Sequence, residues 1–472
     1  MNKTTTYTHR FFARVIIEAA TPISVGTGDK DIMTDQLIVR DVNGFPYIPG
    51  TAIAGILRHA MGEELAKSFF GTDEGNGKGS EIIFSSACLV VDDNKVIEGI
   101  FQEEETNYLK IFREKLIRQH VRMNDKGTTD DGGKFDGEVV YKGTRFCFEI
   151  EMVSKNDDNK LFKDVLKKLA SHTFRIGSGT RSGYGEINIV ECKTKYLNLK
   201  EDWDVYVQKT SSLNDKFWTD SSLDINDITS EITTSPEQSG WIEYKLTLKP
   251  EDFFLFGSGF GNNDADITPV LETKIVWKNN KPVLIKNGIL IPGSSVKGAL
   301  SHRTAYYYNK NNQYFAGNDN AKAGNDNFAV KELFGYVKEG ESDSSAMRGN
   351  VIISDIIEHA VEETITEPVA KKSKKILNHV AIDRFTGGAI DGALYSEEVM
   401  YLDEEFELFI YVNSTLDFVN APDVDIKTPL GAFECALNDL VNGMLPLGGG
   451  VNRGHGCFSG NILRNGIPLN KK

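Results

Sequence analysis

Four blocks of this amino-acid sequence occur twice, in the same order, so whatever the chain folds into must repeat. The first is an apolar run ending in a small-residue turn. Phe11 to Ile17 leads into Gly26-Thr27-Gly28, and Trp241 to Leu248 leads into Gly257-Ser258-Gly259. The second is YIPGTAIAGILRHA from Tyr47 and LIPGSSVKGALSHR from Leu290. The third sets Phe70-Gly71 before EIIFS, and Phe334-Gly335 before NVIIS. The fourth is a glycine comb, with Gly177, Gly179, Gly183 and Gly185 spaced as Gly448, Gly450, Gly454 and Gly456 are. One comb is weak evidence, whereas an ordered set in two copies marks a duplication. A looser fifth match runs from His120-Val121 to Asp136-Gly137 and from His379-Val380 to Asp391-Gly392, making the first copy four residues longer there.

Residues 201–240 carry nine acids against two lysines, are rich in Ser and Thr, and lack a sustained apolar period. They predict a linker or a peripheral excursion. The expected division is a first unit over 8–200, an acidic linker over 201–240, and a second unit over 241–472. Residues 309–329 contain AGNDN twice, which predicts a mobile surface loop. Phe11 to Ala19, Arg145 to Val153, Tyr244 to Lys249 and Glu405 to Val412 read as strands. After Pro49, the residues Ile53, Ile56, Leu57, Ala60, Met61 and Leu65 follow a helical period, with Thr51 as the expected cap and Ser294 as its counterpart. Each copy therefore predicts an α+β, ferredoxin-like unit.

The 472 residues include 40% hydrophobic and 26% charged side chains, which excludes a disordered, collagenous or coiled-coil chain. The formal net charge of -15 argues against a non-specific nucleic-acid binder. Its distribution argues otherwise, because residues 201–240 alone hold -7 of it. Residues 110–126 are net +4 through Lys110, Arg113, Lys115, Arg118, Arg122 and Lys126, and residues 371–384 are also net +4. A charge run is usually a solvated face, but two equivalent runs in an acidic chain point to a phosphate-contacting surface in each copy. No stretch reaches the roughly 20 apolar residues of a membrane span. The N-terminus, with Arg14 inside its apolar run, reads as a strand and not as a signal peptide. Five scattered cysteines without a C-x-x-C fit reduced thiols in a cytoplasm.

The combs place Arg181 and Arg453 among glycines. Backbone N–H groups in such a turn, beside an arginine, can hold phosphate; a tight turn against the opposite unit is the alternative. The helix starts at Thr51 and at Ser294-Ser295 are anion sites or ordinary capped helices, with Lys297 favouring the former in the second copy. Asp29, Asp31, Asp35 and Asp41 follow the first Gly turn, while Asp264 and Asp266 follow the second. Carboxylates there can hold a divalent metal or take a ribose 2′-hydroxyl proton, but Asp is also common in turns. His59, His120, His302 and His379 form no metal-ligand spacing, and His59 and His302 read as packing residues on the helices.

The ordered set resembles the CRISPR-associated RAMP proteins, and more narrowly the backbone subunits of type III effector complexes. G-T-G, D-Q-L-I-V-R-D, Y-I-P-G-T and G-S-G-T-R-S-G-Y-G carry the likeness in the first copy. FGSG, LIPGSSVKG, HVAIDRFTGGAIDGALY and LGGGVNRGHG carry it in the second. Two such units look like the dual-backbone fusion of type III-D-like systems. The resemblance implies two tandem ferredoxin-like (RRM-like) units with β-hairpin thumbs and inserted loops. It implies a guide RNA gripped through its backbone, a complementary target RNA, other effector subunits as partners, no membrane, and a cytoplasmic location. It also implies cleavage of the target by a metal-dependent endoribonuclease step in which the 2′-oxygen attacks, giving a cyclic phosphate and a free 5′-hydroxyl. Carried over by position, Asp35 matches the family's catalytic aspartate and would hold the metal, with magnesium or manganese the expected ion. Asp266 is the candidate in the second copy, although it lies 26 residues before Pro292 where Asp35 lies 14 before Pro49. The RNA-contacting set expected from the blocks is Gly26, Gly28, Thr51, Lys115, Arg118, His120, Arg122 and Arg181 in the first unit. In the second it is Gly257, Gly259, Ser294, Ser295, Lys297, His379, Arg384 and Arg453. The alternatives are a non-catalytic RNA-binding scaffold, or a stand-alone endoribonuclease that processes the guide precursor.

Overall fold

The structure, a computed structural model, describes residues 7–72, 77–124, 128–219, 240–315, 317–336, 346–358, 374–414 and 424–469. In the first unit the strand His9–Ala19 pairs antiparallel with Arg145–Ser154 on one side and with Ile187–Asn198 on the other. Ile82–Phe84 lies outside Arg145–Ser154. In the second unit Trp241–Pro250 lies between Phe406–Asn413 and Phe458–Arg464, with Val351–Ile353 on the outer edge of Phe406–Asn413. Numbered along the chain, the four principal strands of either sheet take the order two, three, one, four, all antiparallel.

The opening strand alternates, and both of its faces are covered. Phe11, Ala13, Val15 and Ile17 meet the helices Gly50–Ala60 and Lys160–Leu169 through Ile53, Leu57, Phe162, Val165 and Leu166. In the second unit Tyr244, Leu246 and Leu248 meet Gly293–Asn311 and Pro429–Val441 in the same manner. Phe12 and Ile16 face the opposite way in the first sheet, and their cover comes from an unexpected place. Leu213 packs on Ile16, while Phe217 and Trp218 pack on Phe12. Residues 201–219 are thus part of the first unit and not a linker. Their acid count hid three buried apolar side chains, and residues 220–239 lie outside the described set.

Among the described residues, three long hairpins stand outside the two sheets. Leu116–Met123 with Thr129–Val139 belongs to the first unit, and Lys374–Ile382 with Ala389–Met400 to the second. The third, Leu271–Lys278 with Lys281–Ile291, fills the extra length between Asp266 and Pro292. Its Ile275 is buried in the core of the first unit, its Trp277 indole donates to the Gly143 carbonyl (2.7 Å), and the Ile275 N–H donates to the Lys142 carbonyl (2.9 Å). The second unit therefore supplies part of the hydrophobic core of the first.

Several local expectations change. Both helices begin two residues earlier than those caps imply, at Gly50 and Gly293, so neither Thr51 nor Ser294 caps them. The first helical N–H is taken from outside instead, by Ser86 Oγ (3.4 Å) in one unit and Asp355 Oδ1 (2.7 Å) in the other. Glycine is required at the first of these starts, because a Cβ on Gly50 would lie 2.4 Å from the Phe84 carbonyl oxygen. His59 and His302 are exposed, so neither is buried as a packing residue. The Asn-rich stretch is tied down: Asn327 caps Phe328–Phe334, and its side-chain amide reaches Asn309 and the Lys322 carbonyl. The five cysteines are free, with burial pushing Cys147 and Cys192 up to about 12, so both stay protonated thiols.

Candidate functional site

The two Gly turns have the same spacing, with Gly26, Gly28 and Asp35 falling opposite Gly257, Gly259 and Asp266. Asp31 Oδ1 accepts the N–H groups of Met33 (2.8 Å) and Thr34 (2.6 Å). Asn262 Oδ1 accepts those of Asp264 and Ala265, both at 2.8 Å. These are the same side-chain turn, with Asn doing in one unit what Asp does in the other. Each turn delivers an exposed aspartate to the returning strand of its hairpin. Asp35 and Asp136 exchange bonds: the Asp35 N–H donates to Asp136 Oδ1 (2.9 Å), and the Asp136 N–H donates to Asp35 Oδ2 (3.1 Å). Asp266 does the same with Ser396, accepting its N–H (2.7 Å) and hydroxyl (3.0 Å) and donating its own N–H to Ser396 Oγ (3.1 Å). These two bonds, the backbone N–H first, hold the Asp266 carboxyl below the usual range.

The strand register corrects the looser sequence match. His120 pairs with Phe135 and His379 with Tyr395, so Asp136-Gly137 corresponds to Ser396-Glu397 and not to Asp391-Gly392. Each histidine stacks on its paired ring, at 5.0 Å and 4.9 Å between centroids. Because side chains alternate along a strand, Phe135 and Asp136 leave on opposite faces. The hairpins therefore keep His120 and His379 apart from Asp35 and Asp266. His120 Nε2 meets the Tyr184 hydroxyl at 2.8 Å, and burial lowers its pKa. His379 meets the fully buried Glu397 (2.8 Å), which also holds Arg453 (3.1 Å) and His455 (3.4 Å). That grouping was missed in the sequence because Glu397 and His455 lie in different blocks.

A family model of the RAMP superfamily matches residues 16–188 and again residues 277–459, which together make up well over half of the chain. The chain belongs to the RAMP superfamily. The two matched regions correspond to the tandem units. RAMP proteins bind CRISPR RNA within multi-subunit complexes. No curated protein matches the sequence. Among the described residues, no helix is long and apolar enough to cross a membrane.

The expected RNA-contacting residues of this RAMP chain fall into two groups. Some are spent within the protein. Arg118 is only 5% exposed and ion-pairs with both Glu272 and Asp355 of the second unit (3.0 Å to the latter). Arg181 donates to the Gly349 carbonyl (2.8 Å), also across the joint, and burial together with Arg348 lowers it to about 10. Arg453 donates to Tyr395 and Glu397. Gly259 faces Gln119 of the first hairpin, whose amide oxygen would lie 2.8 Å from an added Cβ. The combs are likewise tight turns: a Cβ on Gly177 would lie 2.2 Å from the Ser24 oxygen, and one on Gly448 2.4 Å from the Leu255 oxygen. Others remain at the surface. Gly28, with φ of 85°, Thr51, Ser295 and Arg384 are exposed, and Lys115 is engaged by Asp31 at 2.5 Å. Lys297 is half-buried beside Arg181, and burial ahead of that neighbour lowers its pKa. Ser294 is half-buried, Gly26 and Gly257 hold the turn bridges to Ile38 and Pro269, and Arg122 is exposed on the hairpin. Among the described residues, no three His, Cys, Asp or Glu side chains converge as a metal cage.

Proposed function

We propose that the chain is a guide-RNA-binding backbone subunit of a type III CRISPR effector complex, with two ferredoxin-like units fused in tandem, and that Asp35 and Asp266 cut target RNA held against the guide. The observation that carries this reading is the repeated geometry: one turn, one exposed aspartate and one hairpin strand, in two copies. The strand order two, three, one, four supports the ferredoxin-like assignment in both units.

In this reading the hairpin displaces a nucleotide of the target and leaves the neighbouring ribose beside the aspartate. The Asp35 carboxylate takes the 2′-hydroxyl proton, the 2′-oxygen attacks the adjacent phosphorus, and the bond to the 5′-oxygen breaks as that oxygen takes a proton from solvent water. The products are a 2′,3′-cyclic phosphate and a 5′-hydroxyl. Base pairing chooses the sequence and the protein grips shape and backbone.

Asp35 and Asp136 together fit a hydrated magnesium or manganese ion, which binds one or two carboxylates and completes its shell with water and phosphate. Such an ion would neutralise charge on the phosphate. In the second unit Ser396 replaces the second carboxylate, so that donor set is poorer by one charge. The bonds from Ser396 also favour the ionised form of Asp266, which weakens that carboxylate as a base. The second unit is accordingly the slower cutter.

The test is to purify the protein from its native host background, sequence the RNA that accompanies it, and challenge the complex with complementary RNA, with and without EDTA. Uniform short RNAs sharing a repeat-derived end, and EDTA-sensitive cuts, are expected. Metal-independent cutting of repeat RNA would overturn the reading in favour of a histidine-based nuclease, for which the His379–Glu397–His455 grouping is the one supporting observation.

A further inference from the structure

Arg118 stands in a basic run yet does not face solvent. It leaves the outgoing strand of the first hairpin and enters a buried pocket of the second unit. Glu272 reaches it from the hairpin that only the second unit has, and Asp355 from the end of an edge strand. Both acids are nearly fully buried, at 3% and 5% exposed. Asp355 also accepts the first N–H of the helix Gly293–Asn311 (2.7 Å), and its own N–H donates to the Gly183 carbonyl (3.2 Å). The Tyr184 ring lies 5.6 Å from the Arg118 guanidinium. An arginine removed from water between two acids is a fixed point, because moving it out of place leaves two buried carboxylates uncompensated.

That fixed point lies one residue from the candidate site. Gln119, the neighbour of Arg118, is the cross-strand partner of Asp136, and Arg118 itself pairs with Gly137. The returning strand is held by the first unit, through Glu138, which accepts from Arg40 and from the Ile38 N–H (3.2 Å). The outgoing strand is held by the second unit, through Arg118 and through Gln119 against Gly259. The Asp35–Asp136 pair sits where the two holds meet. The second hairpin has Leu377 at the corresponding place, in register with Glu397.

We propose that Arg118, clamped by Glu272 and Asp355, is a positioning residue for the first unit's site, so that the second unit completes the site of the first. The inference rests on the reading of Asp35 given above. It makes an asymmetric prediction: acids of the second unit govern the cut made by the first.

The experiment uses Glu272→Gln and Asp355→Asn in the full complex with guide and complementary RNA, scoring each cut separately. The turnover rate of the first unit's cut is expected to fall by about tenfold to a hundredfold, since small misplacements carry such penalties. Its half-saturating target concentration, guide retention and the second unit's cut should change by less than about twofold. Unchanged cutting at both positions, or an equal loss at both, overturns the proposal. If Asp355→Asn does not fold, Glu272→Gln still leaves Arg118 one buried partner. A second readout needs no cutting. Amide hydrogen exchange at Asp35 and Asp136 should quicken by about tenfold or more in Glu272→Gln, with the second hairpin unaffected. Unchanged exchange there overturns the clamp, whereas a complex that makes no cuts but shows the faster exchange removes only the catalytic reading.

Discussion

At the scale of the residue, Asp35 and Asp266 occupy equivalent positions and differ in their company. Asp35 has a second carboxylate beside it, and Asp266 has a hydroxyl. Replacing Asp35 with Asn should slow one cut by about a hundredfold or more, the scale of lost general base catalysis, and leave guide retention intact; a denaturing gel of end-labelled target reads both. The bonds from Ser396 lower the Asp266 pKa, so its carboxylate should titrate below the 3.8 of an ordinary aspartate. Ser396→Ala removes the hydroxyl bond and should raise that midpoint, measured by carbon-13 NMR of the side-chain carboxyl. The sign follows from linkage: a depressed group favours the native state above its unfolded pKa, and that preference is lost as pH falls through the folded value. In the sequence Asp266 was legible only as the candidate counterpart of Asp35 after the second Gly turn, with a longer stretch before Pro292 obscuring the match. The fate of Arg118 was not, because a count of charges records sign and says nothing of which acids lie across a joint.

At the scale of the element, the stretch 201–219 tests whether an acid-rich segment can be structural. Trp218 is buried against Phe12 and Phe217. Trp218→Ala should cost about 3–5 kcal/mol of stability, whereas a residue in a solvated linker would change it by less than about 0.5 kcal/mol. Chemical denaturation distinguishes the two. The strands around Phe11 and Arg145, and the helix after Pro49, were readable because their apolar periods belong to their own unit. The hairpin Leu271–Ile291 was not readable in this way, since Ile275 and Trp277 answer to the core of the other unit. Hairpin register was misread for a related reason. The Asp-Gly pairs that suggested an equivalence mark different strand positions, and only the pairing of each histidine with its ring fixes the match.

At the scale of the whole molecule, the duplication and its order were legible from the start, while the interlocking of the copies was not. The two units share a core segment and a buried ion-pair cluster, and a Cβ on Gly183 would lie 1.8 Å from Asp355 Oδ1. Gly183→Ala should therefore loosen the joint and lower the melting temperature. The wild-type chain should unfold in one calorimetric transition, and two separated transitions would mean that the units are energetically independent. The net charge of -15, which first argued against RNA, does not describe the face that RNA would meet; neither does the simple +4 of residues 110–126, where Arg113, Lys115 and Arg118 all have acidic partners. The most direct measurement of the central claim is the product ladder from one complementary target in complexes carrying Asp35→Asn, Asp266→Asn or both. Each single substitution should remove a different cut and the pair should remove both, with guide RNA retained throughout. A ladder that all three complexes share with the wild type would contradict the assignment and leave the chain an RNA-binding scaffold.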